Sequence, residues 1–391
     1  MDTLTNPFSP GAGTPPPELA GRQQILDDAR VLLARVKAGR SEKSLVLTGL
    51  RGVGKTVLLN TVASMAEADG YRTVMIEVTE KSSLGTLLTP HLSELLCELD
   101  RMAGVSAKVR RALSVLRSFV GGLKITVGEV GVGVDVEPLR GTADSGDLSI
   151  DLTKLFQAVG EAALDKGAGA AIFIDELQYL SQDEFGALIM AIHRMQQLRL
   201  PVVFVGAGLP TLPGLAGASK TYAERLFNFP QLGALSAEDS AKAIQEPAAA
   251  AGVAVGKNAL REIYRKTCGY PYFLQEWGYQ AWNFASGKTI TLDAVSRASA
   301  RVVERLDQSF FRVRFDRLTT GEKNFLRAMA DADTAPLRTG VVAEKLGVPL
   351  GRLGPVRASL IKKSMIYSPA YGELAYTVPL FGEFMRRAIP E

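Results

Sequence analysis

Eight consecutive residues, Gly49-Leu-Arg-Gly-Val-Gly-Lys55-Thr56, constrain this chain more than any other stretch. They satisfy the spacing G-x-x-x-x-G-K-[ST] at every fixed position, with the apolar run Ser44–Thr48 ahead of them and a helical run, Val57–Ala66, behind. Gly49, Gly52 and Gly54 let the backbone wrap closely enough for its N–H groups to reach phosphate oxygens. The helix that follows adds its positive end beneath them. Lys55 then places a point charge between the outer phosphates of a nucleotide, and the Thr56 hydroxyl is positioned to ligate Mg²⁺. Val53 and Val57 complete the expected phosphate-binding set.

A loop of this kind needs a parallel sheet, and the chain supplies one. Ser44–Thr48, Arg72–Val78, Ala170–Ile174 and Pro201–Gly206 read as strands, and helical stretches separate them. That alternation predicts an α/β fold, a parallel sheet sandwiched by helices. The third run ends in Asp175-Glu176. A buried strand would place Asp175 at its carboxyl end beside the phosphate loop, where it can hold Mg²⁺. Glu176 is then placed to polarise an attacking water as a general base.

The remaining chain divides by composition. Residues 1–18, rich in Pro and Gly, read as a flexible tail, and 19–232 as the nucleotide-binding domain with an insertion at about 84–150. The insertion reads as helical over 84–118, and Leu123–Val127 and Val130–Val136 then alternate as a β-hairpin does. Residues 233–317 read as a helical lid, and 318–391 as three helices and a hairpin, the winged-helix pattern. Cys97 and Cys268 are far apart and have only His91 and His193 for company, so no zinc spacing or disulfide framework is expected. The N-terminus lacks a signal-peptide pattern and no apolar stretch reaches membrane-spanning length, so a cytoplasmic location is expected. The net charge of +4 permits nucleic acid or an acidic partner without demanding either.

With both motifs in place, and one strand lying between them in sequence, the chain resembles the AAA+ ATPases, nearest the origin-recognition-type, archaeal-type and STAND branch. Leu19-Ala-Gly-Arg22 looks like the family's box near the adenine, which implies a nucleotide contact for Arg22. Val202–Pro210 looks like the fourth strand and its sensor turn, and Gly269-Tyr-Pro-Tyr272 like the start of the second-sensor helix. Arg225 stands where such ATPases carry an arginine finger, which implies a homo-oligomer; an ordinary surface arginine fits the sequence as well. The chain departs from the family at both sensors. Gly206, Ala207 and Gly208 offer no polar side chain, and Pro271 and Tyr272 stand where arginine is often found. Both departures predict slow turnover or a nucleotide-controlled switch.

The resemblance implies ATP and Mg²⁺ as ligands and ATP hydrolysis as the activity. One expectation is that nucleotide state controls binding of double-stranded DNA through the winged helix. Its recognition helix, about Leu350–Lys363, carries Arg352, Arg357, Ser359, Lys362 and Lys363. The alternative is a STAND-like switch that binds a protein partner. A P-loop kinase fits less well, because no acceptor pocket is legible.

Overall fold

Four apolar runs become the parallel strands of one sheet: β1 (Ser44–Gly49), β2 (Tyr71–Glu77), β3 (Gly169–Asp175) and β4 (Val202–Gly208). Every residue of β1, β3 and β4 is buried, as both-face coverage by helices requires. The computed structural model describes all residues except 12, 103, 105, 124–135, 333–335 and 391. These form two units, one of Arg22–Gly49 and Lys55–Leu232, the other of Met1–Gly21, Leu50–Gly54 and Gly233–Glu391.

In the first unit the strand order is β2-β3-β4-β1-β5, with β5 at Phe227–Asn228 and β6 (Gln231–Leu232) also pairing with β1. The last strand is interrupted at Phe229-Pro230. Proline has no N–H for a ladder, and its carbonyl instead accepts from the Thr48 N–H at 2.9 Å. Helices α1 (Gln23–Lys37), α2 (Lys55–Ala68), α3 (Leu84–Arg101), α4 (Ala107–Gly122), α5 (Leu148–Asp165) and α6 (Gln182–Leu198) surround the sheet, followed by the short α7 (Leu212–Ser219) and α8 (Ala223–Leu226).

The helical part of the insertion is therefore α3 and α4, and it belongs to the core. Leu88, Leu92, Leu113, Leu116 and Phe119 are buried in the same cluster as Val74 and Ile76 of β2. Each such side chain contributes about 2 kcal/mol of burial. Fully buried Asp151 of α5 accepts from the Ser145 and Gly146 N–H groups at 3.2 and 2.9 Å, tying down the chain that returns from the insertion. The hairpin expected over 123–136 lies outside the described residues except at its two ends.

The second unit begins with α9 (Ala237–Ala250), α10 (Lys257–Thr267), α11 (Pro271–Phe284) and α12 (Leu292–Arg305), with β7 (Ala254–Val255) and β8 (Thr289–Ile290) paired parallel between them. The end of the helical stretch expected over 233–317 is not uniform. A π-turn, Leu306–Phe311, separates α12 from α13 (Arg312–Phe315). Within the stretch 1–18, expected as a flexible tail, Asn6 and Phe8 contact α11. Phe8 is 2% exposed, and a Cβ on Gly278 would meet its ring at 2.7 Å. The Asn6 amide also donates to the Tyr279 carbonyl at 3.0 Å.

The C-terminal module consists of α14 (Thr320–Ala330), β9 (Leu337–Arg338), α15 (Thr339–Leu346), α16 (Gly354–Lys362), β10 (Ile366–Tyr367), β11 (Glu373–Tyr376) and α17 (Phe381–Ala388). Its strands form an antiparallel sheet in the order β10-β11-β9. The expected recognition helix starts as a 3-10 turn, Leu350–Leu353, and becomes α-helical only from Gly354.

Candidate active site

The two sequence motifs meet at the carboxyl ends of β1 and β3. The Thr56 hydroxyl donates to Asp175 Oδ2 at 2.6 Å, across 119 residues of chain. Asp175 is 7% exposed, and it also accepts from the Glu176 N–H at 2.8 Å. Lys55, 6% exposed, turns its ammonium back to the Gly49 carbonyl at 2.9 Å. Val53 and Val57 are buried.

The loop geometry needs its glycines. Gly52 and Gly54 have φ of +85° and +94°, in the left-handed region that side chains with a Cβ rarely adopt. Within the second unit, residues 50–54 lie against Tyr270 and Tyr272. The Tyr272 N–H donates to the Gly52 carbonyl at 3.2 Å, and the Tyr270 hydroxyl donates to the Arg51 carbonyl. A Cβ on Gly52 would meet both tyrosines at 3.1 and 3.2 Å. The Arg51 N–H donates to the Thr377 carbonyl, just beyond β11, at 3.3 Å. Burial, reinforced by nearby Arg51, pushes the Arg314 guanidinium down to about 10, so it remains charged at neutral pH. Among the aromatics of α11 and the turn before it, Tyr270, Phe273, Trp277 and Trp282 are all 3% exposed or less. Tyr270 and Tyr272 also hold the loop, which their helical spacing alone did not reveal.

Glu176 follows Asp175 in a left-handed conformation (φ 57°, ψ 39°), unusual for a residue with a side chain. Its carbonyl accepts from the Tyr179 N–H at 3.0 Å, closing a 3-10 turn over Leu177–Tyr179. Gln178 Nε2 donates to its carboxylate, and Gln178 Oε1 accepts from the Leu209 N–H at 3.0 Å. Sequence reasoning overlooked Gln178. Its position two residues after the acidic pair, opposite a strand end of Gly206, Ala207 and Gly208, was the available signal.

The donor set suits Mg²⁺. A hydroxyl and a carboxylate are hard oxygen ligands, and one or two protein oxygens plus phosphate and water are what this ion takes. Among the described residues no group of three or more His, Cys, Asp or Glu could hold a metal by itself. Arg22 stands at the N-cap of α1 and Arg225 is exposed on α8.

Residues 18–205 match the AAA ATPase domain family, and residues 308–385 match a domain of unknown function, DUF8462. No curated protein matches the sequence. Among solved structures, the Walker-type ATPase PABY2304 of Pyrococcus abyssi is similar at a TM-score of 0.61 and 16% identity, covering 97% of this chain and 99% of its own. The Thermotoga maritima RuvB Holliday junction branch migration motor gives 0.46 and 16%, over 91% and 92% of the two chains. The Aeropyrum pernix Orc1 protein, solved in complex with DNA, gives 0.46 and 16%, over 95% and 94%.

Proposed function

Because residues 18–205 match the AAA ATPase domain family, we propose that the chain hydrolyses ATP slowly and uses its nucleotide state to set the posture of a helical lid and the C-terminal module. The observation that carries the hydrolytic half is the Thr56–Asp175 hydrogen bond of 2.6 Å, with Glu176 held next to it. Thr56 and Asp175 would hold Mg²⁺, which supplies charge neutralisation across the phosphates. Lys55, released from the Gly49 carbonyl, binds the β and γ phosphates, and the N–H groups of the loop bind their oxygens. Glu176 takes a proton from water as the water oxygen bonds to the γ phosphorus. The bond from phosphorus to the β–γ bridging oxygen breaks, its electron pair leaves with ADP, and Glu176 afterwards gives up its proton.

Coupling rests on a line of contacts within the second unit. Tyr272 donates to the Gly52 carbonyl, and its ring stacks on Phe310 of the π-turn with centroids 4.7 Å apart. Phe310 meets Phe311 at 5.3 Å, and Phe311 stacks on Phe384 of α17 at 5.3 Å. Nucleotide phosphate arriving at the loop competes for the Arg51 N–H that the Thr377 carbonyl now holds.

The C-terminal module has the element order of a winged helix. Its partner is double-stranded DNA in one reading and a protein in the other. Lys363 and Ser359 both bond Glu322, at 2.7 and 2.6 Å, and Arg357 bonds Ser368 at 3.2 Å. Three of the five expected DNA contacts are thus engaged internally, which favours the protein-partner reading. Arg352 and Lys362 are exposed and remain for phosphate contacts.

Single-turnover hydrolysis by the wild type and Glu176→Gln, with and without duplex DNA, tests the proposal. The expected result is ATP binding by both proteins, with turnover about 100-fold or more lower in the variant. Normal turnover by Glu176→Gln would overturn the assignment of the base. Salt-dependent acceleration by DNA supports the DNA reading, and no binding at low salt removes it.

A further inference from the structure

The end of β4 has no polar side chain of its own, and the turn after β3 fills the space. A Cβ on Gly206 would come within 2.3 Å of Leu177 Cδ1, and one on Gly208 within 2.4 Å of Gln178 Oε1. Both positions are glycine because Leu177 and Gln178 lie across them. Leu177 is fully buried and anchors the turn.

Gln178 is bonded at both ends of its amide. Oε1 accepts from the Leu209 N–H, one residue beyond β4, and Nε2 donates to the Glu176 carboxylate. A backbone N–H only donates and a carboxylate only accepts, so one orientation of the amide satisfies both. Turned over, it would set N–H against N–H and oxygen against oxygen. The main chain of Glu176 is held separately, its N–H by Asp175 and its carbonyl by Tyr179. The bond from Gln178 Nε2 acts on the carboxylate itself.

We propose that Gln178 is a positioning residue for hydrolysis, coupling the direction of the Glu176 carboxylate to the end of β4. The inference rests on the reading of Glu176 as the general base. In the strand order β3-β4-β1, β4 lies between Asp175 and Gly49. Ligands of open α/β sheets bind outside the carboxyl ends of such strands. Leu209 therefore sits where a terminal phosphate arrives, and any shift of its N–H is passed through one amide to the base. This supplies by a side chain from the β3 turn what Gly206, Ala207 and Gly208 do not carry.

The test is Gln178→Glu, which keeps an acceptor for Leu209 but sets a carboxylate against Glu176. Gln178→Ala, which loses both contacts, is measured beside it. Expected for both is a kcat lower by about tenfold or more, with affinity for a fluorescent ATP analogue within about twofold of wild type. In a Glu176→Gln background, adding Gln178→Ala should lower kcat no further. A side chain that only ties the turn to β4 would leave Gln178→Glu at wild-type kcat, and that result overturns the inference. Equal loss of nucleotide affinity and kcat in both variants overturns it too, by showing general damage to the site. If Glu176→Gln itself turns over normally, the reading of the base has failed. If Glu176→Gln is inactive and Gln178→Glu is normal, only the role of Gln178 has failed.

Discussion

At the scale of single residues, the site depends on groups that touch across large sequence separations. Asp175→Asn keeps the shape of the side chain but removes the charge. It should raise the Mg²⁺ concentration for half-maximal ATPase activity by about tenfold and lower kcat by about 100-fold, measured in a magnesium titration. Gly208→Ala adds one methyl group where Gln178 Oε1 lies 2.4 Å away. Overpacking of this kind costs about 1–3 kcal/mol, and the displaced amide should also depress kcat. Denaturant unfolding beside steady-state ATPase rates would show both effects. Lys55, Thr56, Asp175 and Glu176 were legible in the sequence because their spacing and flanking apolar runs are diagnostic. Gln178 was not, because its role depends on which strand end the turn faces.

At the scale of elements, α14 shows how one carboxylate can hold a module. Glu322 closes the capping box with Thr319 and accepts from Ser359 and Lys363 of the recognition segment. Burial pushes its carboxyl up, but the bonds from Lys363, Ser359 and Thr319 outweigh burial and hold it at about 2. A depressed carboxylate stabilises the fold fully above its unfolded pKa and loses that contribution as pH falls through its folded value. About 3 kcal/mol should therefore disappear between roughly pH 4.5 and pH 2. Glu322→Gln should flatten that part of the stability–pH curve, as followed by denaturant melts. Lys363→Ala leaves a 4%-exposed carboxylate without its cation, so a loss of about 2 kcal/mol is expected. A DNA-binding test that mutates Lys363 would confuse unfolding with lost contact, and Arg352 and Lys362 are the cleaner targets.

At the scale of the whole molecule, coupling of nucleotide to the C-terminal module should pass through packed rings. Phe310 has Tyr272 on one side and Phe311 on the other, with the Arg314 guanidinium 4.1 Å above its ring. Phe310→Ala should leave ATP affinity within about threefold of wild type. It should abolish the ATP-dependent change in hydrogen exchange of α17. An unchanged exchange response in that variant would show that coupling takes another route.

The sequence by itself determined the sheet, the phosphate loop and the acidic pair, because burial on both faces, glycine conformation and phosphate chemistry each restrict residue type locally. Tertiary structure decided the rest. Which residues oppose Gly208, Gly52 and Gly278 is a matter of close approach between distant segments, and glycine in a sequence does not say what fills the space beside it. The same holds for Lys363 and Ser359. As residues on a helix they read as a surface for DNA; packed beside α14, they satisfy a buried carboxylate.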